Sequence, residues 1–569
     1  MIALTGRAFK FLSYEVRGLH IAVYILASSA LLSSLLALLR DRMLASAFGA
    51  SATLDVYYAA FRIPDIIFVA IGALVSVYVL IPELAKRAPD AQKKYIDTIL
   101  AGFSTLAIIV SIIAYIAAPA LLQLFFPQLM SADTDLLLLT RIMLLQPIFL
   151  GFSNICAAIT QARHRYALYA LSPLLYNLGI IVGVLVLYPL WGAAGLAIGV
   201  VLGAFLHFAI QIPTTFGDGF FHAMPRTLDM RAIAETVRIS VPRAFALSMN
   251  QITFLGLTAL AGLLASGSIA VFMFAYNLQA VPLAIVGASY SVAAFPTLAA
   301  AMARGEQSAF ISHIATAARH IFFWSLPITA LIIVLRAHMV RVVLGAGSFD
   351  WTDTRLTAAA FGLLAVSLVF QSLTLLLVRG YYAAGRTLVP FAVAAGTAVA
   401  TVALSAVLIG FFQNELLMLV GQEILRVTGV PGSSILTLAF AYSLVAIVST
   451  LVLLLHFERT FRGFFQQVIQ SWSESAFAAL VGGAVTYVVL GAIGPISLAS
   501  TTLSVLSRGF IGGMCGILSC ALVYWLLGNS EFKDNASAIH DRLWRKSLST
   551  PRGVAVVASA EEGSLTGPQ

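Results

Sequence analysis

Long apolar runs separated by short polar joints fill most of this chain. They fall at 20–48, 56–84, 96–126, 136–161, 166–189, 191–213, 236–264, 267–301, 310–338, 354–383, 388–412, 433–457, 474–492 and 501–527. A helix rises about 1.5 Å per residue, so about 20 mostly apolar residues cross a hydrocarbon core about 30 Å thick. Each run is of that length, and the pattern predicts an all-α polytopic membrane protein with about fourteen transmembrane helices. The stretch from Ile21 to Leu39 carries no charge. It is too long for a signal-peptide core and is read as a retained first span. Breakers such as Pro189-Leu190-Trp191-Gly192 and Val430-Pro431-Gly432 mark the joints. From 530 to 569 the apolar runs stop, which predicts a polar, mobile cytoplasmic tail.

Composition supports this reading and narrows it. Of 569 residues, 60% are hydrophobic and only 10% charged, with a mean hydropathy of +0.97. A soluble chain of this length needs more charge to solvate its surface. The net charge of +9 would suggest nucleic acid on a soluble protein, but no nucleic-acid-binding module is present, and the distribution of charge matters more than its total. Cys156, Cys515 and Cys520 sit in apolar runs, with neither a disulfide framework nor metal-ligand spacing.

The placement of basic residues orients the chain. With the N-terminus inside, alternate joints carry Arg7, Lys10 and Arg17, then Lys86, Arg87, Lys93 and Lys94, and so on to Lys533, Arg542, Arg545, Lys546 and Arg552 at the end. The opposite joints carry few cations and hold Asp133, Asp135, Asp350 and Asp353. Positive-inside bias then predicts that both termini are cytoplasmic, as an even number of spans requires.

An internal echo adds architecture. Shifted by 215 residues, Ala50-Ser51 falls on Ala265-Ser266, Val56 on Val271, and Gly72-Ala73 with Ser76-Val77 on Gly287-Ala288 with Ser291-Val292. This pairs the second expected span with the eighth. It predicts two parallel six-helix units, 1–213 and 236–457, around a central cavity, with two additional helices at 474–527.

Charge inside a span is costly unless it meets water, a partner or a ligand. Arg40-Asp41 lies in the outer part of the first span, Arg62 about two turns into the second, and Arg243 early in the seventh. If the two units face each other, these groups share the cavity. Arginine suits a phosphate or pyrophosphate, since its planar fork donates two parallel hydrogen bonds and keeps its charge when desolvated. Alternatively, Arg40 and Asp41 point about 100° apart on a helix and pair elsewhere. Arg42, Arg141, Arg238, Arg319 and Arg508 read as side chains snorkelling to headgroups. Asn250, Gln251 and Asn277 read either as interhelical hydrogen bonds or as ligand contacts. The Asp133-Thr134-Asp135 joint reads as solvated surface rather than a metal site. No phosphate-binding loop, HExxH or nucleophile elbow appears, so the chain reads as neither an enzyme nor an ATPase, with no cofactor implied.

The order and spacing of several short motifs resemble the MurJ/MviN family of lipid II flippases, within the multidrug/oligosaccharidyl-lipid/polysaccharide exporter superfamily. They include Arg40-Asp41 followed by Ala47-Phe48-Gly49-Ala50 and Asp55, then Ala60-Phe61-Arg62-Ile63-Pro64. Ser172-Pro173-Leu174-Leu175-Tyr176-Asn177, Asn250-Gln251-Ile252, Leu264-Ala265-Ser266-Gly267-Ser268 and Gly347-Ser348-Phe349 continue the likeness. The resemblance implies that lipid II, the undecaprenyl-pyrophosphate-linked peptidoglycan precursor, is turned from the inner to the outer leaflet of the bacterial cytoplasmic membrane by alternating access. It implies functional roles for Arg40 and Asp55, with membrane lipids and the cell-wall synthesis machinery as partners; with the polar residues placed within spans, the expected substrate contacts are Arg40, Asp41, Asp55, Arg62, Arg243, Asn250, Gln251 and Asn277. The chain departs from the family pattern at Phe68 and Val69, where an arginine pair is usual, and at Ser34, Ala73 and Asn277, where charged residues are usual. A less cationic cavity follows, for which Arg243 would compensate. Other readings are export of another lipid-linked oligosaccharide, a drug/cation antiporter, and a scaffold without transport.

Overall fold

A computed structural model describes residues 19–132, 135–163, 165–220, 229–412, 414–496 and 500–544. Several expectations lie outside these residues: those on Arg7, Lys10 and Arg17, on Asp133 and Thr134, on Arg226, and on Arg545, Lys546 and Arg552. The side chain of Arg243 is likewise outside the described residues.

Every expected span coincides with helix. Up to residue 209 the main helices are α1 (Leu19–Phe48), α2 (Ala52–Ala60), α3 (Arg62–Gly72), α4 (Val77–Ala85), α5 (Pro89–Phe125), α6 (Leu136–Met143), α7 (Gln146–Ala162), α8 (Tyr166–Val182) and α9 (Ala193–Ala209). Next come α10 (Met230–Ala261), α11 (Ser268–Leu283), α12 (Ser289–Ala303), α13 (Gln307–Val343), α14 (Trp351–Val366), α15 (Leu368–Ala383), α16 (Leu388–Phe411), α17 (Glu415–Leu425) and α18 (Leu436–Thr460). Then follow α19 (Phe464–Ile493), α20 (Thr502–Leu527) and α21 (Ser530–Trp544). Among the described residues, ten helical stretches are long and apolar enough to cross a membrane, and eleven if the bent pair α14–α15 is one span. The remaining expected spans correspond to α1, the broken run α2–α4, and α10.

The broken run has a physical cause. Asp55, Arg62, Pro64 and Asp65 interrupt its apolar sequence, and a 3₁₀ turn at Ala73–Val75 separates α3 from α4. A π-helical turn at Ala284–Ala288 breaks the other copy of the sequence echo, between α11 and α12. Such insertions bend a span without leaving its backbone groups unpaired.

Two elements depart from the sequence expectation. The short helix α17 fills the joint before α18, and the tail expected to be mobile begins as helix α21. The latter is anchored by Arg319 on α13, whose Nε lies 3.1 Å from Glu531 Oε1. Arg319, read as a snorkelling side chain, thus has an ion-pair partner. Arg42 likewise donates to the carbonyls of Val342 and Val343, 2.7 and 3.0 Å away, tying the end of α1 to that of α13.

The helices before Gly217 meet those after Met230 along two seams. Helix α10 packs on α3 and α5, and α11 packs on α1 and α2. Helices α19 and α20 pack on each other and on α13. Close approach there requires small residues: a Cβ on Gly482 would lie 2.2 Å from Cys520 Sγ, and one on Gly516 2.1 Å from Thr486 Oγ1.

Candidate functional site

The site is built where α1 leaves its apolar stretch at Arg40-Asp41. Arg40 donates from Nε and Nη2 to Asp41 Oδ1, at 3.0 and 2.8 Å. Its Nη1 donates to Asn177 Oδ1 on α8, at 3.1 Å. The other oxygen of Asp41, Oδ2, accepts from Asn277 Nδ2 on α11, at 3.0 Å. The result is a polar chain, Asn177–Arg40–Asp41–Asn277, running from α8 through α1 to α11. The two neighbours pair with each other, contrary to the reading that their helical positions would send them to separate partners. Long side chains bridge the angle, and burial makes an unpaired charge costly.

Arg62 occupies a second position close by. Its Nε donates to the carbonyl of Tyr58 at 3.2 Å, its Nη2 lies 3.9 Å from Asp65 Oδ2, and its guanidinium sits 5.9 Å from the Phe254 ring. Tyr58 lies within electrostatic reach of both Arg40 and Arg62. The surrounding wall is aromatic: Tyr57 packs on Phe61, Phe254 on Tyr276, and Tyr276 on Tyr442. Only 6% of Arg62 is exposed, and 2% of Asp41. Each arginine thus has a carboxylate, and the Arg40, Asp41, Arg62 and Asp65 charges sum to zero. The cluster is more neutral than the arginines alone implied.

Asp55 is elsewhere, at the end of the molecule where α1 meets α2. Its Oδ2 accepts from the Gly267 amide at 2.6 Å and its Oδ1 from the Ala270 amide at 2.9 Å. These are orphan donors at the N-terminus of α11, where a carboxylate is favoured by both hydrogen bonding and the helix dipole. A reciprocal contact runs the other way: Asp353 Oδ2, at the start of α14, accepts from the Ala50 amide just before α2, at 3.0 Å. Ser348 N donates to Ser46 O at 2.8 Å alongside. Backbones approach closely enough to need glycine. Gly267 has φ 87°, and a Cβ there would lie 2.2 Å from Ala50 O; Gly347 has φ 54°, with Ser46 O 2.2 Å from the same position. This end is locked by carboxylate-to-amide bonds.

The opposite end closes on weaker contacts. Tyr95 on α5 hydrogen-bonds Thr236 on α10 at 2.9 Å, and Ser240 donates to Leu74 O at 3.4 Å. An apolar hollow of about 50 Å³ remains beside them, walled by Leu74, Gly102 and Ile233. Among the described residues these two seam hydrogen bonds are between neutral groups, with the Arg87 guanidinium 4.0 Å over the Tyr95 ring.

Two of the other expected site residues separate from the cluster. Asn250 is exposed on α10 and Gln251 half-buried, and among the described residues the cluster's hydrogen bonds run to other groups. Asn277 is an interhelical hydrogen-bonding residue. Sequence reasoning missed Asp65, whose signal was the Arg62-x-x-Asp65 spacing on one helix face. Asn177, Asp353 and Gly267 stood in its motifs and joints, but it missed the contacts that each makes. Those contacts join residues far apart in the chain, and no local pattern marks them. Of the residues read as snorkelling, Arg508 donates to Pro495 O at 2.8 Å and Arg141 lies 4.3 Å from the Tyr115 ring.

The broken-helix bundle, with its buried arginine centre, has the fold of two solved membrane transporters. One, a lipid II flippase MurJ in an inward closed conformation, aligns at TM-score 0.70 with 19% identity, covering 89% of this chain and 99% of that one. The other, a multidrug resistance MATE family transporter of the MOP superfamily, inward-facing, aligns at 0.58 with 15% identity over 79% of this chain and 98% of that one. The sequence is more specific: residues 44–503 match the family described as lipid II flippase MurJ, and the chain belongs to that family. Among its relatives are a probable lipid II flippase MurJ from Thermotoga maritima, 26% identical over 63% of this chain and 73% of that protein, and one from Haemophilus influenzae, 28% identical over 63% and 75%. A lipid II flippase MurJ from Burkholderia cenocepacia is 24% identical over 65% and 74%.

Proposed function

We propose that this protein is a lipid II flippase of a bacterial cytoplasmic membrane, with both termini on the cytoplasmic side. Two parallel six-helix units rock about the Arg40–Asp41 centre, while α19 and α20 form an appendage. Transport, not catalysis, is the activity. The pyrophosphate headgroup enters from the end closed by Tyr95 and Thr236, and the polyprenyl tail stays in lipid.

The observation that carries this reading is the engagement of Arg40. Its Nε and Nη2 both donate to one carboxylate oxygen, Asp41 Oδ1, and these same donors suit an oxygen of a phosphate. An arriving pyrophosphate would take Asp41's place on Arg40. Asp41 would keep its link to Asn277 and move with α11, so that binding is felt at the seam between the units. Arg62 and Arg243, with Asn250 and Gln251, belong to the path of the headgroup, and Asp55 to the lock. Release to the other leaflet requires Asp55 to leave Gly267 and Ala270.

Complementation of a flippase-depleted strain, with lipid II flipping assayed in vesicles, tests the reading. Arg40→Ala should abolish both, and Arg40→Lys should leave a small residue of activity, since a point charge replaces the fork. Full activity of Arg40→Ala would refute it. A second reading, transport of another lipid-linked oligosaccharide, is favoured by the charge balance of the cluster. It predicts normal binding of polyprenyl-pyrophosphate oligosaccharides that lack the peptide stem.

A further inference from the structure

A second basic centre lies outside the proposed transport path, at the locked end. Three arginines converge on the loop between α17 and α18. Arg355, from the first turns of α14, donates from Nε and Nη2 to the carbonyl of Arg426, at 3.2 and 2.8 Å. Arg336, from the last turns of α13, reaches Leu425 O at 3.5 Å through space that Gly362 leaves open; a Cβ there would lie 2.8 Å from Arg336 Cδ. Arg426 itself lies across Tyr487 of α19, donating to its hydroxyl at 3.0 Å. These cations meet carbonyls and a phenol, and among the described residues no carboxylate lies within ion-pair distance of them. Arg336 and Arg426 are close enough to repel each other.

Two further observations indicate what neutralises them. Arg426 has φ 61°, and among the described residues no other non-glycine residue has a positive φ. Side chains rarely hold that conformation unless the surroundings impose it, and such positions concentrate at binding sites. Beside it lies an apolar hollow of about 200 Å³, walled by Leu363, Phe412, Met418, Leu425 and Phe440. Leu425 joins the two features, since its side chain lines the hollow while its carbonyl takes Arg336. The mouth of the hollow is apolar and open: Ile424 is 73% exposed and Phe440 42%, and neighbouring Leu419 and Val420 are exposed as well. In a membrane protein that surface faces hydrocarbon or its boundary with headgroups. At roughly 30 Å³ for a water-sized group, the hollow takes about seven methylenes, a stretch of one chain.

We propose that Arg336, Arg355 and Arg426, with the hollow between α17 and α18, form a site for an anionic glycerophospholipid. The phosphate sits on the arginines, and part of one acyl chain fills the hollow. Charge complementarity selects the head, and the adjoining apolar volume selects an amphiphile over a free anion. Bound lipid would staple the α17 joint to α19, linking the appendage to the second unit independently of headgroup transport.

The test uses the full chain purified in a neutral detergent, with melting temperature and native mass spectrometry as readouts. Phosphatidylglycerol should raise the melting temperature and remain bound in the mass spectrum, whereas phosphatidylcholine and glycerol 1-phosphate should do neither. Arg355→Gln with Arg426→Asn should weaken phosphatidylglycerol binding about tenfold, the scale of one or two lost charge-assisted hydrogen bonds. Should that pair fail to fold, Arg426→Asn alone keeps the backbone conformation, since asparagine tolerates positive φ, and should still reduce binding severalfold. Gly421→Leu, which fills the hollow, should reduce lipid retention with every arginine intact. Unchanged phosphatidylglycerol binding in Arg426→Asn overturns the proposal. So does protection by glycerol 1-phosphate equal to that by the lipid, or displacement of phosphatidylglycerol by an equimolar polyprenyl pyrophosphate. Lipid II flipping by the wild type enters none of these readouts, so failure here leaves the flippase reading standing.

Discussion

Asp55 and Ala270 are joined by a hydrogen bond between residues 215 positions apart, the same interval that separates the two copies of the sequence echo. Equivalent helix starts therefore meet head-on. Two helix N-termini facing each other would repel through their dipoles, and the Asp55 carboxylate between them turns that repulsion into attraction. Asp353, at Ala50, repeats the device from the other side of the seam.

Replacing Asp55 with asparagine removes the charge and one of two acceptors. A charge-assisted bond is worth about 1.5–3 kcal/mol, so the locked end should open roughly ten- to a hundredfold more often. A cysteine at Ala270, with Cys156, Cys515 and Cys520 replaced by serine, reports this by its labelling rate with a membrane-impermeant maleimide. An unchanged rate means that Asp55 does not hold this end closed.

Gly267→Ala places a methyl group where Ala50 O stands 2.2 Å away, at a φ of 87°. Steric overlap and left-handed strain both oppose the closed state, by about 1–3 kcal/mol. Labelling at position 270 should rise as in Asp55→Asn. The double substitution should be less than additive, because both act on the same contact.

Asp41→Asn leaves Arg40 buried without its carboxylate. Breaking a buried pair in this way typically costs about 3–5 kcal/mol. The melting temperature should fall, and polyprenyl pyrophosphate should recover part of the loss, because it supplies the missing anion. Affinity for that ligand should rise as its internal competitor disappears. Weaker binding in Asp41→Asn would show instead that the aspartate contacts the ligand favourably.

Tyr95→Phe removes a neutral hydrogen bond at the opposite end, worth about 1 kcal/mol. It should increase access from that side by roughly fivefold, measured with a cysteine at Thr236 or by cross-linking α5 to α10. The contrast with Asp55→Asn is the point: the end with neutral contacts opens more readily, so the unloaded protein rests poised toward it. Equal effects of the two substitutions would remove this asymmetry.

Much of the architecture was legible in the chain. The apolar runs located the helices because the solvent of a span is hydrocarbon over a fixed thickness, a constraint that acts on each segment alone. The breaks in α2–α4 went unread, since 56–84 reads as one run, although Arg62, Pro64 and Asp65 stand within it. The pairing of Arg62 with Asp65 was equally available, at three residues' spacing on one helix. Helix α17 escaped notice because eleven residues are too few to cross a membrane. Helix α21 escaped because its polar composition resembles that of a disordered tail, while its anchor, Arg319, lies far away in sequence.

The sequence by itself determined the class of protein, the positions of its long apolar helices, and the presence of Arg40, Asp41 and Arg62 where charge needs a partner. Tertiary structure alone decided which partner each found. It divided the expected site into a charge-balanced centre at Arg40–Asp41 and a separate lock at Asp55, because carboxylates bind the nearest unsatisfied donors in space. For Asp55 those donors are backbone amides of Gly267 and Ala270, which carry no side-chain signature and become available only when another helix begins there.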